Sequence, residues 1–164
     1  MYDAVIIGAG TAGMTAGIYL ARQGKRAIIL EGNTYGGQIV NSLGVENYPG
    51  IKNISGFDFA TALYEQVLEL GGEIYYGEVV GIKVNYNSKT VLTADKEYEC
   101  ERVIIATGAA NRNLGVDGEE DLVGLGVSYC ATCDGAFFRE KKVAVVGGGN
   151  TALEDAEFLS GLCE

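Results

Sequence analysis

A chain of 164 residues with 48% hydrophobic composition can bury a real core, and its length suits one or two globular domains. Its 12 basic and 22 acidic residues leave a net charge of -10, which disfavours nucleic acid and anionic membrane as partners, although a dinucleotide can still bind through backbone amides. No histidine occurs, so Ser-His and Cys-His catalysis are excluded within these residues, and a protein zinc site would have to use cysteines or carboxylates.

No apolar run approaches the roughly 18 residues that a membrane-spanning helix needs. The start Met1-Tyr2-Asp3 has no basic stretch before an apolar one. Four cysteines, two of them close together, suit a reducing compartment better than a disulfide scaffold, so cytoplasm is the expected location.

Ala4-Val5-Ile6-Ile7 is a continuous apolar run of the kind that forms a parallel strand buried on both faces, and Gly8-Ala9-Gly10-Thr11-Ala12-Gly13 follows it directly. The spacing of Met14, Ile18 and Ala21 predicts a helix from Thr11 to Gln23 stopped at Gly24, and Arg26-Ala27-Ile28-Ile29-Leu30 predicts a second buried strand. In such a unit Gly8 allows the tight turn, Gly10 lets a pyrophosphate approach the backbone, and Gly13 lets helix and strand pack closely. The helix N-terminus faces the phosphates. Glu31 follows Gly10 by 21 residues and ends the second strand, where a ribose hydroxyl would bond to it. A bare G-x-G-x-x-G turn can bind nothing. Here strand, helix and acid coincide, which points to a dinucleotide site at Gly8, Gly10, Thr11, Ala12, Gly13 and Glu31.

Residues 32–54 hold Gly36-Gly37-Gln38 and Glu46-Asn47-Tyr48-Pro49-Gly50 without a strong period. A loop that long is usually functional and could wrap a ligand, the plain alternative being a surface excursion. Ser55-Gly56-Phe57-Asp58 resembles a capping box with Asp in place of Glu, and Phe59, Leu63, Val67 and Leu70 form one helical face, expected to serve packing, ahead of Gly71-Gly72. Residues 73–76, 79–84, 90–93 and 97–100 read as short strands, with Asn85-Tyr86-Asn87-Ser88 and Asp95-Lys96 as turns, and three of them suggest an antiparallel meander. Arg102-Val103-Ile104-Ile105-Ala106 predicts another buried strand closed by Thr107-Gly108, where Gly108 permits close backbone approach.

From Ala109 to Gly126 the chain is rich in Asn, Gly, Asp and Glu and reads as a linker between two domains. Cys130-Ala131-Thr132-Cys133-Asp134-Gly135 follows. Taken alone, Cys-x-x-Cys is half of a zinc site, a thioredoxin-type redox pair, or two small buried residues. Cys100 at a strand end and Cys163 in a helix read as buried small residues, and as singletons they do not complete a four-ligand zinc site. Val143-Ala144-Val145-Val146, Gly147-Gly148-Gly149-Asn150-Thr151-Ala152 and the helical pattern of Leu153, Ala156, Phe158 and Leu159 make strand, G-x-G-x-x-A turn and helix, a second dinucleotide signature. Its candidate binding residues are Gly147, Gly149, Asn150, Thr151 and Ala152. No further strand follows to bring a ribose-reading residue. The unit is therefore expected to be incomplete, with the edge of the 143–146 strand and the face of Leu153, Ala156 and Leu159 uncovered and the C-terminal segment poorly ordered or buried against another copy.

Two dinucleotide signatures with a Cys-x-x-Cys between them resemble the low-molecular-weight thioredoxin reductase family of flavin-dependent pyridine nucleotide disulfide oxidoreductases. The resemblance runs along the whole chain. It is carried by Gly8 to Gly13, Gly36-Gly37-Gln38, Glu46-Asn47-Tyr48-Pro49-Gly50, Ala106-Thr107-Gly108, Gly147 to Ala152 and, most specifically, Cys130-Ala131-Thr132-Cys133-Asp134-Gly135. It implies an α/β fold: a Rossmann-like parallel sheet with an antiparallel β meander as the FAD domain, residues 1–112, and the start of a second Rossmann-like NADPH domain, residues 113–164. FAD would lie on the first site, with Gln38 and Asn47 near the flavin and Val79 near the adenine. Gly37, Ala106, Thr107 and Gly108 complete that set, and NADPH would lie on the second site. The family closes its FAD site with a later Gly-Asp segment, and the arginines that read the NADP phosphate also come later, so the sequence resembles the first half of such an enzyme.

By the same resemblance Cys133 lies against the flavin, Cys130 exchanges with a partner disulfide, and Asp134 protonates the leaving thiolate, a role open to a buried carboxyl. A helix N-cap is the plain alternative for Asp134, and both can hold. Cys130 and Cys133 are expected within disulfide distance, and Cys100 and Cys163 unpaired. The implied function is transfer of electrons from NADPH through FAD and the cysteine pair to thioredoxin or a similar small dithiol protein, by a full-length homodimer. The alternatives are a relative with another donor or acceptor, ferredoxin-dependent or peroxiredoxin-linked, and a fragment that turns nothing over. No NADPH-dependent disulfide reductase activity is expected of the 164 residues alone.

Overall fold

A parallel strand covered on both faces needs apolar side chains at successive positions, and the two apolar runs meet that demand. In the computed structural model, which describes residues 1–110 and 112–164, they form β1 (Tyr2–Ile7) and β2 (Ala27–Glu31). Val5, Ile6, Ile29 and Leu30 are fully buried, each worth about 1.5–3 kcal/mol of transfer free energy. α1 (Thr11–Arg22) makes the crossover between the two strands. It ends where Gly24 takes φ +69°: the Gly24 amide donates to the Ala21 carbonyl at 2.9 Å and the Lys25 amide to the Leu20 carbonyl at 3.0 Å. This is a Schellman closure that a residue with a Cβ would resist.

β3 (Glu73–Tyr76), β4 (Val79–Val84), β5 (Lys89–Thr93) and β6 (Glu97–Ile105) complete one six-stranded sheet in the order β3-β2-β1-β6-β5-β4. β3, β2, β1 and β6 run parallel, and β6, β5 and β4 form the antiparallel meander. The two strands expected at 97–100 and 102–106 are one. β6 pairs with β5 as far as Cys100 and with β1 from Cys100 to Ile105. The charges of Glu101 and Arg102 broke the apolar pattern in the sequence, but an outward position on a pleat carries a charge without ending the strand. For the same reason Cys100 sits inside a strand, fully buried, rather than at its end.

The meander also folds back over the parallel strands. Tyr98 of β6 has its ring 5.8 Å from that of Tyr75 on β3, the Tyr75 hydroxyl donates to Asp95 in the β5–β6 turn, and Lys96 Nζ lies 4.0 Å over the Tyr75 ring. One apolar layer therefore joins Val5, Ile7, Ile28 and Leu30 to Val91, Tyr98 and Cys100. On the other face Ile6 and Ile29 pack against Met14 and Ile18 of α1 and Val67 of α2 (Gly56–Glu69). Because β1 leads to β2 on one side and lies beside β6 on the other, the carboxyl ends of β1 and β6 flank the topological switch point, where α/β sheets bind ligands.

The chain divides into two units, Met1–Val40 with Phe57–Ala110, and Asn41–Gly56 with Asn111–Glu164. Among the described residues, β1 to β6 all belong to the first. In the second, Val45 and Ile54 form an isolated antiparallel bridge, α3 (Ala131–Asp134) runs into a 3-10 turn at Gly135–Phe138, and α4 (Asn150–Ser160) follows. Residues 109–126, read as a linker, contain an organising centre. Glu119, 6% exposed, accepts hydrogen bonds from the Leu114 and Gly115 amides at 2.7 Å each and from the Tyr129 hydroxyl at 2.5 Å.

The strand expected at Val143–Val146 is not formed, since no described segment pairs with it, and Val146 is exposed. A strand exists only through its ladder, and the apolar run alone cannot make one. α4 packs its end on the 3-10 turn: a Cβ at Gly135 would stand 3.0 Å from Leu159 Cδ2 and 3.2 Å from Phe158 Cε1. Leu159 is thus partly covered, against expectation, whereas Leu153 and Ala156 remain exposed as expected. Cys163 falls beyond the helix rather than in it.

Candidate functional site

At the carboxyl ends of β1, β2 and β6 lies a cavity of about 330 Å³. It brings together Gly8, Gly10, Thr11, Ala12, Glu31, Gly37, Gln38, Ala106, Thr107 and Gly108, all expected to bind the dinucleotide. Gly8 has φ +104°, and a Cβ there would stand 2.4 Å from the Ala106 carbonyl oxygen. Gly13 lies behind the cavity, with its Cβ position 1.9 Å from the Gly8 carbonyl oxygen, so helix and turn touch backbone to backbone. Gly10 differs. A Cβ there would meet only the Gly36 carbonyl oxygen at 4.0 Å, which leaves its surface open toward the cavity. Gly10 also caps α1 with no side-chain hydrogen bond, and the first turn holds no acid, so the helix N-terminus keeps its amides and positive end for an anion.

Glu31 is fixed by the backbone around it: Oε2 accepts the Ala9 amide at 2.7 Å and Oε1 the Asn33 amide at 2.9 Å. The loop after β2 is tied to the glycine turn through the Gly36 amide and the Ala9 carbonyl at 2.8 Å, and the Gln38 side chain donates to the Ala109 carbonyl. Gly36 lines the cavity and was not among the predicted binding residues. Its φ of +100° and a Cβ position 2.4 Å from Val40 Cγ1 demand glycine, and the Gly36-Gly37 pair was the signal for it. Val79 does not line the cavity and packs against the meander-side core, and Asn47 is an exposed residue of the second unit.

In the second unit Cys130 and Cys133 form a disulfide, with Cα atoms 5.3 Å apart, on the first turn of α3. Extended backbone at Cys130 lets its carbonyl accept the Asp134 amide at 3.1 Å, so the acid stands one turn after the first cysteine. Asp134 Oδ2 accepts the Ser128 hydroxyl at 2.6 Å, and Oδ1 is buried with no hydrogen-bond partner. Asp134 also precedes the 3-10 turn but makes no side-chain cap bond to it, so the capping alternative does not account for its carboxylate. Cys100 and Cys163 are free, and burial pushes the Cys100 thiol up.

The second glycine turn has its own geometry. Gly147 has φ +149° and its Cβ position is 2.9 Å from Ala152 Cβ, while Gly148 and Gly149 meet nothing. Gly149 caps α4 without a side-chain bond, and Asn150 and Thr151 open the helix. Among the described residues no helix is long and apolar enough to cross a membrane.

A glycine turn and a strand-end acid at a sheet's switch point, on one chain with an accessible Cys-x-x-Cys disulfide, are the features of a nucleotide-dependent redox family. Residues 2–164 match the pyridine nucleotide-disulphide oxidoreductase family, and the chain belongs to it. The relatives are thioredoxin reductases. That of Listeria monocytogenes is 45% identical over 160 residues, covering 98% of this chain and 50% of that protein, and that of Bacillus subtilis is 44% identical over 160 residues, covering 98% and 51%. The structure of thioredoxin reductase from Streptococcus pyogenes superposes with a TM-score of 0.95 at 49% identity, over 99% of this chain and 53% of that one. Thioredoxin reductase from Giardia duodenalis gives 0.90 at 35%, over 99% and 53%. The chain spans about half the length of the relatives it matches.

Proposed function

We propose that this chain carries the FAD-binding and redox-active half of a thioredoxin-disulfide reductase, acting in the cytoplasm. In such an enzyme electrons pass from NADPH through FAD and the Cys130–Cys133 pair to the disulfide of thioredoxin. The observation that carries the reading is the occurrence on one chain of a cavity at the switch point, open at Gly10 and walled by Glu31, and of a Cys130–Cys133 disulfide followed by Asp134. The bare surface at Gly10 and the uncapped amides of α1 fit a pyrophosphate, and the Glu31 carboxylate, with lone pairs left after its two backbone bonds, fits a ribose diol. Gly37, Gln38, Ala106, Thr107 and Gly108 also line that cavity, and by the family resemblance Val79 would serve the adenine and Asn47 the flavin. The uncapped turn at Gly147 to Ala152 would take the pyrophosphate of NADPH. When bound, FAD accepts a hydride and passes two electrons on to a disulfide.

The protein's own chemistry is thiol–disulfide exchange. In the reduced pair the Cys130 thiolate attacks one sulfur of the partner disulfide, that S–S bond breaks, and the leaving thiolate takes a proton from Asp134. Cys133 then gives up its proton and attacks the Cys130 sulfur, the bond between Cys130 and the partner breaks as the internal disulfide forms, and the second partner thiolate takes up a proton, so the partner leaves as a dithiol with two more electrons.

The test is a binding titration. Purified chain, equilibrated with FAD and separated by gel filtration, should retain a flavin absorption band. Gly10→Ala should abolish retention without changing the far-UV circular dichroism, and Glu31→Ala should weaken it. Flavin retained equally by all three chains would remove the first site from this reading.

A further inference from the structure

The redox turn holds a residue whose place is explained by neither fold nor disulfide. Ser128 is exposed, two residues before Cys130, yet its hydroxyl makes a short polar contact, 2.6 Å to Asp134 Oδ2. It also accepts the Cys130 amide at 3.1 Å and lies 3.3 Å from the Cys130 carbonyl oxygen. A hydroxyl has one hydrogen, and the carboxyl oxygen at 2.6 Å takes it in preference to the carbonyl oxygen at 3.3 Å. With the hydrogen spent on Oδ2, its lone pair faces the Cys130 amide. One side chain thus ties the backbone of the first cysteine to one oxygen of the acid, and the other oxygen, Oδ1, is left buried and unpartnered. The small cavity beside it is walled by Asn41, Leu43, Gly124, Val127, Phe137 and Phe138 in addition to Ser128. None of these is charged, so Asp134 supplies the one carboxyl among the residues that line it.

We infer that Ser128 is a positioning residue for the thiol–disulfide exchange: it holds Oδ2 so that Oδ1 carries the proton delivered to the leaving sulfur, and it fixes Cys130 at the start of the turn. The inference rests on Asp134 being the proton donor. A carboxyl without this bond can rotate and exchange its oxygens, so the proton is correctly placed for only part of the time. The alternative, a serine that only closes a local turn, makes the same backbone bond but gives no reason for the carboxylate contact.

The experiment uses the 164-residue chain and a small dithiol, dithiothreitol. One dithiothreitol thiolate attacks a sulfur of the Cys130–Cys133 bond, that bond breaks, and the released cysteine thiolate takes a proton. The second dithiothreitol thiolate then closes its own disulfide and frees the other cysteine, two electrons having moved to the protein. Rates are read from pH 5 to 9 by acid quench and mass spectrometry, and divided by the thiolate fraction of the reagent. Wild type should show an acid-dependent limb, and Asp134→Asn should lack it. Ser128→Ala should lower that limb roughly five- to tenfold and displace its inflection, and Ser128→Thr should restore both. If Asp134→Asn keeps the wild-type profile, the proton-donor reading fails and this inference falls with it. If Asp134→Asn loses the limb while Ser128→Ala keeps it, only the role of Ser128 is overturned. That role is equally overturned if Ser128→Ala slows every pH alike, if threonine gives no rescue, or if Ser128→Ala and Ser128→Gly both lose their circular dichroism, since each marks a structural role.

Discussion

Gly13→Ala should destabilise the protein by about 3 kcal/mol, although it places a better helix former in a helix. The added Cβ would stand 1.9 Å from the Gly8 carbonyl oxygen, and ordinary contact begins at 3.4 Å, so helix and turn must part by about 1.5 Å. Neither side yields easily. The Gly8 amide is held on the Leu30 carbonyl at 2.8 Å, and α1 is anchored by Met14, fully buried, and Ile18. Overpacking against backbone belongs at the upper end of the usual range, about 3 kcal/mol. Lifting α1 also exposes part of Met14 and Ile18, about 1 kcal/mol, and the helix propensity of alanine returns about 1 kcal/mol. Gly17→Ala is the control on the same helix. Its Cβ meets the tip of Ile29, Cδ1, at 2.8 Å, a side chain that can turn away, so the change should stay within about 1 kcal/mol of wild type. Urea unfolding followed by far-UV circular dichroism reads both. With a slope near 2 kcal/mol per molar, Gly13→Ala should lower the midpoint by about 1.5 M. Equal midpoints for the two variants would refute the contact argument.

Three further outcomes follow from particular residues. In the oxidised native chain Cys163 should react with a thiol reagent and the fully buried Cys100 only on unfolding, with two more thiols appearing after reduction; four thiols before reduction would contradict the disulfide. The hydrogen bonds from Tyr129 and the Leu114 and Gly115 amides hold the Glu119 carboxyl below its ordinary 4.5. Its contribution is therefore present above pH 4.5 and lost as pH falls through the lower folded value, so Glu119→Gln should flatten the acid unfolding of the second unit and a curve unchanged from wild type would refute it. The Tyr98 hydroxyl is buried with no partner, so Tyr98→Phe should be neutral or stabilising by up to about 1 kcal/mol at pH 7. Burial raises that phenol from 10.0 to about 12, so its part of the stability is complete below pH 10 and disappears as pH rises through 12 in wild type but not in Tyr98→Phe, and a clear loss of stability in that variant at pH 7 would show a missed partner.

What the sequence determined by itself is what depends on neighbours along the chain. β1, the glycine turn, α1 and β2 were legible because burial on both faces demands an unbroken apolar run, and because Gly8, Gly13 and Gly24 answer to a local turn, a local backbone contact and a helix end. The cysteine spacing was legible for the same reason, since one helical turn brings residues that close within reach. Tertiary structure decided whatever needs a partner distant in sequence. The chain cannot announce that β6 continues through Glu101, because only pairing with β1 and β5 shows which side of the pleat that charge occupies. It cannot announce that Val143–Val146 stays unpaired, because a strand's hydrogen bonds belong to its neighbour. Glu119 looked like one more acid in a polar linker until three donors converged on it, and Ser128 looked like a turn residue until Asp134 came round the helix to meet its hydroxyl. The physical reason is common to all four: apolar burial is written in the period of a single segment, whereas a hydrogen bond is directional and short, and which donor meets which acceptor is settled only when the chain has folded.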